Sequence, residues 1–507
     1  MKNATLLFVI CMLLSATSFE QAGTLDSSFG DNGKIITRIS GYSVAHSVAI
    51  QPDGKIVVAG TSGNDFLVLR YKKSGFLDKT FGDQGIVLTD FDGNAGGTSM
   101  VLQSDGKIIV AGSAWNSNNV DFALARYQQD GSLDSSFGND GKVVTDFGLS
   151  EGGNSVLLQA DGKIVLAGTS VYGPGENFAL VRYKKNGRVD SSFGTNGEVI
   201  TNVSGSDNHL NAAALQANGK IVVAGSVYTR YSDHPQIYFA LARYTDNGNL
   251  DDSFGDSGKV ITDFGGDAQA FSVAIQSDGK IVAAGSYTKK VGVALARYGQ
   301  DGRLDNSFGT HGKVITIFAV GCDVNSVAIQ TDGKILTAGA YYQAFALLRY
   351  KQNGIIDSTF GGDGLVTTSF SDVFPSMAND LAIQNNGKIV VVGNVSYDFS
   401  FIAIARYNGD NTSTPINSIG VSNAQKNKNV MANILLSPNP VQDILRIDGL
   451  SSFTKTISII DAKGKLLKQE TTANDNYSFN TKQLSAGIYL VRIAAGHAAT
   501  TLKFLKE

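Results

Sequence analysis

Residues 272–309 read SVAIQSDGKIVAAGSYTKKVGVALARYGQDGRLDNSFG. Asp278-Gly279 joins two short apolar runs, which is a strong signal for a β-hairpin. Arg297 is followed eight residues later by Asp305, and close variants of the whole stretch recur along the chain. Helical periodicity is absent. Four short runs per unit with a turn at each end predict a propeller blade, with its strands at 272–276, 280–284, 293–298 and 313–316.

The first and last copies of the repeat are incomplete. Asp26 has no arginine upstream, and Arg406 has no aspartate downstream. A closed ring would unite these halves, so we predict an all-β, seven-bladed β-propeller of four-stranded blades. The N-terminal strand at 34–37 would then supply the outer strand of the last blade, which removes an open sheet edge. We interpret the arginines and aspartates as structural pairs: Arg70–Asp78, Arg126–Asp134, Arg182–Asp190, Arg243–Asp251, Arg297–Asp305, Arg349–Asp357 and Arg406–Asp26. Bidentate pairing would explain why no repeat uses lysine there.

The consensus of the repeat is AIQxDGKIVxAG…ALARY…DGxLDxxFG. This pattern resembles the bacterial delta-60 β-propeller repeat over roughly residues 23–407. The resemblance implies a propeller but no particular chemistry, because that family is defined by its repeat.

The N-terminus is typical of a secretory signal peptide. A lysine at position 2 precedes an apolar run at 6–14 and small residues at 16–18, so we predict a signal peptide at 1–18. No later segment is apolar enough for a transmembrane helix, and Cys322 is the one cysteine after the signal. We therefore expect a secreted or cell-surface protein whose propeller spans 19–410.

The C-terminal part has a different character. We predict a polar linker at 411–432 and a small Ig-like β-sandwich at 433–507. The blocks SPNP (437–440), DAKGK (461–465) and LSAGIYLV (484–491) resemble the C-terminal sorting domain of the type IX secretion system. The resemblance implies that the type IX machinery carries the chain across the outer membrane, for anchoring or release. An accessory carbohydrate-binding sandwich is the alternative.

Composition restricts the possible functions. A formal net charge of −3 without a basic run argues against nucleic acid. The five histidines have no metal-ligand spacing, and the glycine turns lack the alternating carboxylates of a calcium loop. We predict no metal and no cofactor. General acid–base catalysis by the loop carboxylates Asp207, Asp267 and Asp323 is an alternative that the sequence does not exclude. The glutamines that end the first run of each unit fit a hydrogen-bonded ring or a channel lining: Gln51, Gln103, Gln159, Gln216, Gln276, Gln330 and Gln384.

The units differ mainly in their loops. Since strands alternate in direction, the loops after the second run and those between units share one face of the ring. These loops vary in length and are rich in aromatic residues, which suit sugar or protein partners. The candidate binding residues are Trp115, Tyr172, Tyr228, Tyr231, His234, Tyr238, Tyr287, Tyr341 and Tyr342. We predict a non-catalytic protein that binds a glycan or protein through this face. A polysaccharide-active hydrolase or lyase, and a structural envelope component, are the alternatives.

Overall fold

The computed structural model describes residues 21–39, 41–116, 119–172, 175–204, 207–229, 236–288, 291–396 and 400–410, and then 435–437, 443–448, 455–461, 465–472, 477–495 and 498–506. The chain divides into two compact units, Met1–Ala424 and Gln425–Glu507. Every regular element in the described ranges is a β-strand. Those ranges accordingly contain no helix with the length and apolarity needed to cross a membrane. The predicted signal peptide and linker lie outside them.

The first unit contains 28 strands. In chain order they are β1 Lys34–Thr37, β2 Ser43–Ile50, β3 Ile56–Ser62, β4 Asp65–Tyr71, β5 Ile86–Thr89, β6 Ala95–Leu102, β7 Ile108–Trp115, β8 Val120–Tyr127, β9 Lys142–Thr145, β10 Ser150–Leu158, β11 Ile164–Tyr172, β12 Gly175–Tyr183, β13 Glu198–Thr201, β14 Asp207–Leu215, β15 Ile221–Tyr228, β16 Ile237–Tyr244, β17 Lys259–Thr262, β18 Ala268–Ile275, β19 Ile281–Tyr287, β20 Gly292–Tyr298, β21 Lys313–Ile317, β22 Cys322–Ile329, β23 Ile335–Tyr341, β24 Ala344–Tyr350, β25 Leu365–Thr368, β26 Ser376–Ile383, β27 Ile389–Ser396 and β28 Ser400–Tyr407.

These strands form seven four-stranded antiparallel blades. Blades one to six take their strands consecutively, from β2–β5 to β22–β25. Blade seven consists of β26, β27, β28 and, as its outer strand, β1. Lys34 pairs with Ala405 and Thr37 with Ile402. The seven-bladed fold closed by the N-terminal strand is therefore confirmed.

Hydrophobic clusters fill the spaces between neighbouring blades. One cluster joins Phe239 and Leu241 of blade four to Val273 and Ile281 of blade five. Another joins blade seven to blade one through Ile404 and other apolar residues. Because the middle strands are covered on both faces, they are apolar almost throughout and do not alternate with polar residues. The blade-to-blade cores are what hold the ring together.

Each innermost strand carries a β-bulge, and beside it the backbones of the first and second strands approach each other closely. In blade five the register shifts between Ala270 and Ser272, which leaves Phe271 as the bulged residue. Opposite it, a Cβ on Gly285 would lie 1.8 Å from the backbone oxygen of Gln269. Glycine occupies this position in all seven blades, so the glycine of the repeat is a steric requirement.

The second unit is a small β-sandwich. Its strands are β29 Leu435–Ser437, β30 Ile444–Asp448, β31 Lys455–Asp461, β32 Leu466–Thr472, β33 Tyr477–Asn480, β34 Gly487–Ala495 and β35 Ala498–Lys506. They form the sheets β29-β30-β33 and β32-β31-β34-β35. Leu445 and Phe479 of the first sheet share one core with Ile457, Ile459 and Val491 of the second.

Candidate functional site

The two faces of the ring carry different connections between the strands. We call one the turn face: it holds the hairpins between the first and second strands, such as 276–280, and the turns between the third and fourth strands, such as 299–312. We call the other the loop face: it holds the loops between the second and third strands and the connections between blades. The antiparallel order of every blade puts each class on the predicted side.

A repeated arginine cluster occupies the turn face. In blade five the Nε of Arg297 lies 2.9 Å from Oδ2 of Asp305, and its Nη2 donates to Ser307 at 2.9 Å. Its Nη1 donates to the backbone oxygen of Gln352 in blade six, and the guanidinium lies 4.7 Å from the centre of the Phe308 ring. The arginine therefore binds two blades together.

All seven pairs that the spacing predicts lie within 2.6–2.9 Å. Their geometry differs from the bidentate fork that we expected, because only Nε contacts the carboxylate while Nη1 and Nη2 have other acceptors. Arginine is required here for its three separate donors.

The lysine of the Asp-Gly-Lys hairpin belongs to the same cluster. Lys280 Nζ lies 3.2 Å from Oδ2 of Asp305, and the equivalent lysines approach their aspartates to between 2.6 and 3.9 Å. Burial raises the pKa of Asp78, but hydrogen bonds from Thr80 and Lys55 and the charge of Arg70 outweigh burial and lower this pKa to about 2. The sequence analysis did not predict a role for this lysine, although a lysine follows the hairpin glycine in all seven repeats.

The split pair closes the ring. Arg406 Nε lies 2.6 Å from Oδ2 of Asp26, and its Nη1 donates to the backbone oxygen of Lys73 in blade one at 2.6 Å. The Tyr71 hydroxyl of blade one lies 2.7 Å from Thr37 on the outer strand of blade seven. Corresponding Tyr–Thr bonds of 2.7–3.0 Å link every neighbouring pair of blades.

The glutamines lie beside the arginines. Gln159 Oε1 and Gln216 Oε1 each accept from the arginine of their own blade at 3.5 Å. Within the part of the chain that the structure describes, neither bonds to another glutamine. The central cavity is lined by other residues, so these two glutamines support the turn face.

The innermost strands surround a cavity of about 360 Å³. The bulged residues of the seven blades point towards it: His46, Thr98, Asn154, Asn211, Phe271, Asn325 and Asn379. The asparagine amides donate to backbone oxygens of the next blade, as from Asn211 to Ala270 at 2.8 Å and from Asn379 to Ala45 at 2.8 Å. These amides fix neighbouring blades around the cavity.

Asp380 lies in the wall of this cavity and differs from the residues at the same position in the other blades. The equivalent residues in the other blades are Ser47, Ser99, Ser155, Ala212, Ser272 and Ser326. Burial raises the pKa of Asp380 to about 7, although Val48 N and Ser326 Oγ donate to it at 2.9 and 2.8 Å. Burial also lowers the pKa of His46 in the same lining to about 4.

The aromatic candidates on the loop face separate into three groups. Tyr342 and Trp115 are exposed, at 70% and 46%. Three tyrosines are half-buried: Tyr228, Tyr238 and Tyr341. Tyr231, His234 and the side chain of Tyr172 lie outside the described residues.

Tyr287 is a correction. We expected it to be exposed, but it is 8% exposed and packs in the core cluster with Phe264 and Ala268. The last residue of a strand points to one side of the blade, and here that side faces the neighbouring blade. Tyr287 therefore stabilises the ring and cannot present a binding surface.

Large exposed apolar side chains are more numerous on the loop face than on the turn face. Among the described residues it carries nine large ones, and the turn face carries Phe76 and Ile355. Six of the nine lie in or next to loops of blades five to seven that backbone hydrogen bonds join, such as the one from Tyr342 to Gly321. We call these six the apolar arc: Val291, Ile317, Val320, Tyr342, Val373 and Met377. Five of these six are aliphatic, so the prediction, which considered aromatic residues, missed most of this surface.

The loop carboxylates that we singled out are tied to the fold. Asp207 accepts from Glu176 N at 3.3 Å, Asp267 from Ile237 N at 2.9 Å, and Asp323 from Ser286 Oγ at 3.2 Å. Asp207 is also buried. A different acid–base pair lies on this face, because His209 Nδ1 is 2.6 Å from Glu176 Oε2 and both side chains are partly exposed.

Two family descriptions match the chain. Seven segments match "Domain of unknown function (DUF5122) beta-propeller", at 51–81, 103–137, 159–193, 216–254, 276–308, 330–360 and 384–411. Residues 436–507 match "Secretion system C-terminal sorting domain". Both resemblances found in the sequence are confirmed. Among curated proteins, none matches this chain significantly.

Several solved structures are similar to the chain at 10% identity. PorZ, a surface component of the type-IX secretion system of Porphyromonas gingivalis, aligns over 92% of this chain and 74% of its own with a TM-score of 0.31. Virginiamycin B lyase from Staphylococcus aureus aligns over 73% and 98% with a TM-score of 0.43, and polysaccharide lyase Uly1 over 78% and 94% with a TM-score of 0.42. At this level the likeness carries no argument about function.

Proposed function

We propose that this chain, a seven-repeat β-propeller of the DUF5122 type that ends in a secretion system sorting domain, is a non-catalytic binding protein. The sorting domain marks it for export by type IX secretion, to the cell surface or beyond. Its ligand is a protein, and the apolar arc of the loop face is the docking surface.

The proposal is carried by the uneven distribution of exposed apolar side chains. A contiguous exposed apolar surface on an otherwise stable protein marks an interaction site. On the turn face the repeated polar groups bond to neighbouring blades, whereas in the arc Val320, Tyr342 and Val373 are exposed.

The chemistry of the arc favours a protein over a glycan. Sugars stack on the flat faces of aromatic rings, and the arc has one, Tyr342. Val291, Ile317, Val320, Val373 and Met377 are aliphatic, which suits the apolar core of a protein interface with a polar rim.

Photocrosslinking tests the proposal. A photoreactive phenylalanine is introduced at position 342 on the arc or at position 355 on the turn face, where Tyr342 and Ile355 are both well exposed. Irradiation of cells that display the protein is expected to attach one protein species at 342 and not at 355. Equal labelling at both positions, or attachment of glycan alone at 342, would contradict the proposal.

One observation favours a second candidate, a polysaccharide-active enzyme. The His209–Glu176 pair is the arrangement of a general base and its orienting carboxylate. Incubating the protein with acidic and neutral polysaccharides, with His209→Ala as the control, would support this candidate if product release required the histidine.

A further inference from the structure

The boundary between blades two and three carries an unusual group of carboxylates. Oxygens of Asp121, Asp146 and Glu151 all lie within 4.8 Å of one another. They come from β8, from the connection after β9, and from β10. A fourth carboxylate, Glu198 on β13, lies near enough to raise the pKa of Glu151.

Glu151 is the most unusual member. It is 0% exposed, and neither of its oxygens has a hydrogen-bond partner among the described residues. The backbone of Phe147 lies close enough to favour its ionised form, but burial and the three neighbouring carboxylates raise its pKa to about 7. The other blades place small residues at this position: Ser43, Ala95, Asn208, Ala268, Cys322 and Ser376.

At four of the other six boundaries a lysine occupies this place, and at the remaining two Ile86 and Leu365 stand there. Between blades one and two, Lys142 Nζ donates to the backbone oxygen of Asp90 at 3.0 Å and lies 5.7 Å from the centre of the Phe91 ring. Lys259, Lys313 and Lys34 make the same kind of bond to the preceding blade, at 3.2, 2.7 and 3.2 Å. At the boundary of blades two and three the residue at this position is Glu198.

Blades one and two thus provide a natural comparison. Asp65 and Asp90 stand there where Asp121 and Asp146 stand at the next boundary. The first boundary has a lysine ammonium beside two acids, whereas the second has four acids, one of which is Glu198 in place of the lysine. Besides Glu151, single oxygens of Asp121, Asn119 and Glu198 are buried there without a partner.

We propose that Asp121, Asp146 and Glu151 bind a divalent cation, Ca²⁺, at the boundary between blades two and three. All the donors are hard oxygens, and Ca²⁺ takes six to eight such ligands in flexible geometry, which mono- and bidentate carboxylates supply. The ion occupies the position that the lysine ammonium occupies elsewhere in the ring.

The test is a titration of the full chain with CaCl₂ at pH 8 after removal of metal with EDTA. Calorimetry is expected to show one Ca²⁺ per chain, with a dissociation constant of about 0.1–1 mM, the range of extracellular calcium modules. In 10 mM CaCl₂ the melting temperature is expected to rise by about 2 °C or more.

Two variants assign the response to this boundary. Glu151→Ser introduces the residue of blades one and seven, and Glu198→Lys introduces the lysine found at four other boundaries. Both are expected to lose the calcium response, and Glu198→Lys is also expected to melt above the parent in EDTA. The control Asp65→Asn removes the matching charge from the first boundary and is expected to retain the full response.

An unchanged melting temperature and no heat of binding in 10 mM CaCl₂ would overturn the site. A calcium response that persists undiminished in Glu198→Lys would overturn it as well, and this variant keeps the test valid even if Glu151→Ser fails to fold. A response to MgCl₂ with none to CaCl₂ would overturn the assignment to calcium.

Discussion

The turn face and the loop face of this propeller are built from the same seven repeats, but they have diverged to different degrees. On the turn face the arginine, aspartate, lysine and phenylalanine of each repeat are retained. In six of the seven blades the arginine Nη1 donates to a backbone oxygen of the next blade, and in the sixth blade Arg349 pairs with Asp410 instead. On the loop face the loops between the second and third strands differ in length and sequence from blade to blade.

This difference shows at which positions the fold restricts the choice of residue. An arginine such as Arg297 contacts two blades at once, so its replacement would weaken a boundary of the ring. Val373, in contrast, is 70% exposed. The comparison predicts that substitutions on the turn face reduce stability, whereas those on the arc reduce binding.

The largest expected effect comes from opening the ring. Deleting residues 23–37 removes β1 and leaves Arg406 buried without Asp26. Loss of one partner of a buried pair costs about 3–5 kcal/mol, and the lost strand pairing adds to it, so we expect a fall in melting temperature of about 10 °C or more. Ile36→Thr, at an exposed position of the same strand, is the control. A truncated chain that melts within about 1 °C of the parent would refute the closure.

A smaller loss should follow from changing one arginine while keeping its charge. Arg297→Lys removes the donors to Ser307 and to Gln352 of blade six, and we expect it to cost about 2–4 kcal/mol in the free energy of unfolding. Arg303→Lys is matched to it, since Arg303 lies in the same turn with its side chain 89% exposed. If denaturant titration gave equal stabilities for both variants, the arginine cluster would not be structural.

The next effect depends on pH. Because burial raises the pKa of Asp380 to about 7, its contribution to stability is complete below the unfolded pKa near 3.8 and is lost as the pH rises through 7. Asp380→Ser inserts the serine of the other blades and should raise stability at pH 8 by about 1–2 kcal/mol, with no gain at pH 4. Thermal melts from pH 4 to pH 8 measure it, and Asp372→Ser at an exposed position is the control. A gain that is the same at both pH values would contradict the assigned pKa.

Much of this architecture was predictable from the sequence. The repeated Arg-Tyr and Asp-x-x-Phe-Gly predicted the number of blades, and the unpaired Asp26 and Arg406 predicted the closure of the ring. Such features are local or strictly periodic, and a pattern along the chain reports them directly.

The functional surface was less predictable, since it depends on contacts between distant segments. The sequence places Tyr287 beside a loop, but its burial depends on Phe264 of the preceding blade connection. Asp121, Glu151 and Glu198 lie on three different strands and Asp146 on a connection, and nothing in their spacing brings them together. The arc was missed because valine and methionine are ordinary core residues whose exposure only the fold reveals.

The most direct test of the division between the faces is one matched pair of surface variants. Val373→Ser on the loop face and Phe76→Ser on the turn face change side chains of similar exposure, 70% and 66%. Affinity for the protein crosslinked at position 342 is measured alongside the melting temperature. We predict that both variants melt within about 1 °C of the parent, and that only Val373→Ser weakens binding, by about tenfold or more. Equal affinities for the two variants, or a loss confined to Phe76→Ser, would contradict the account.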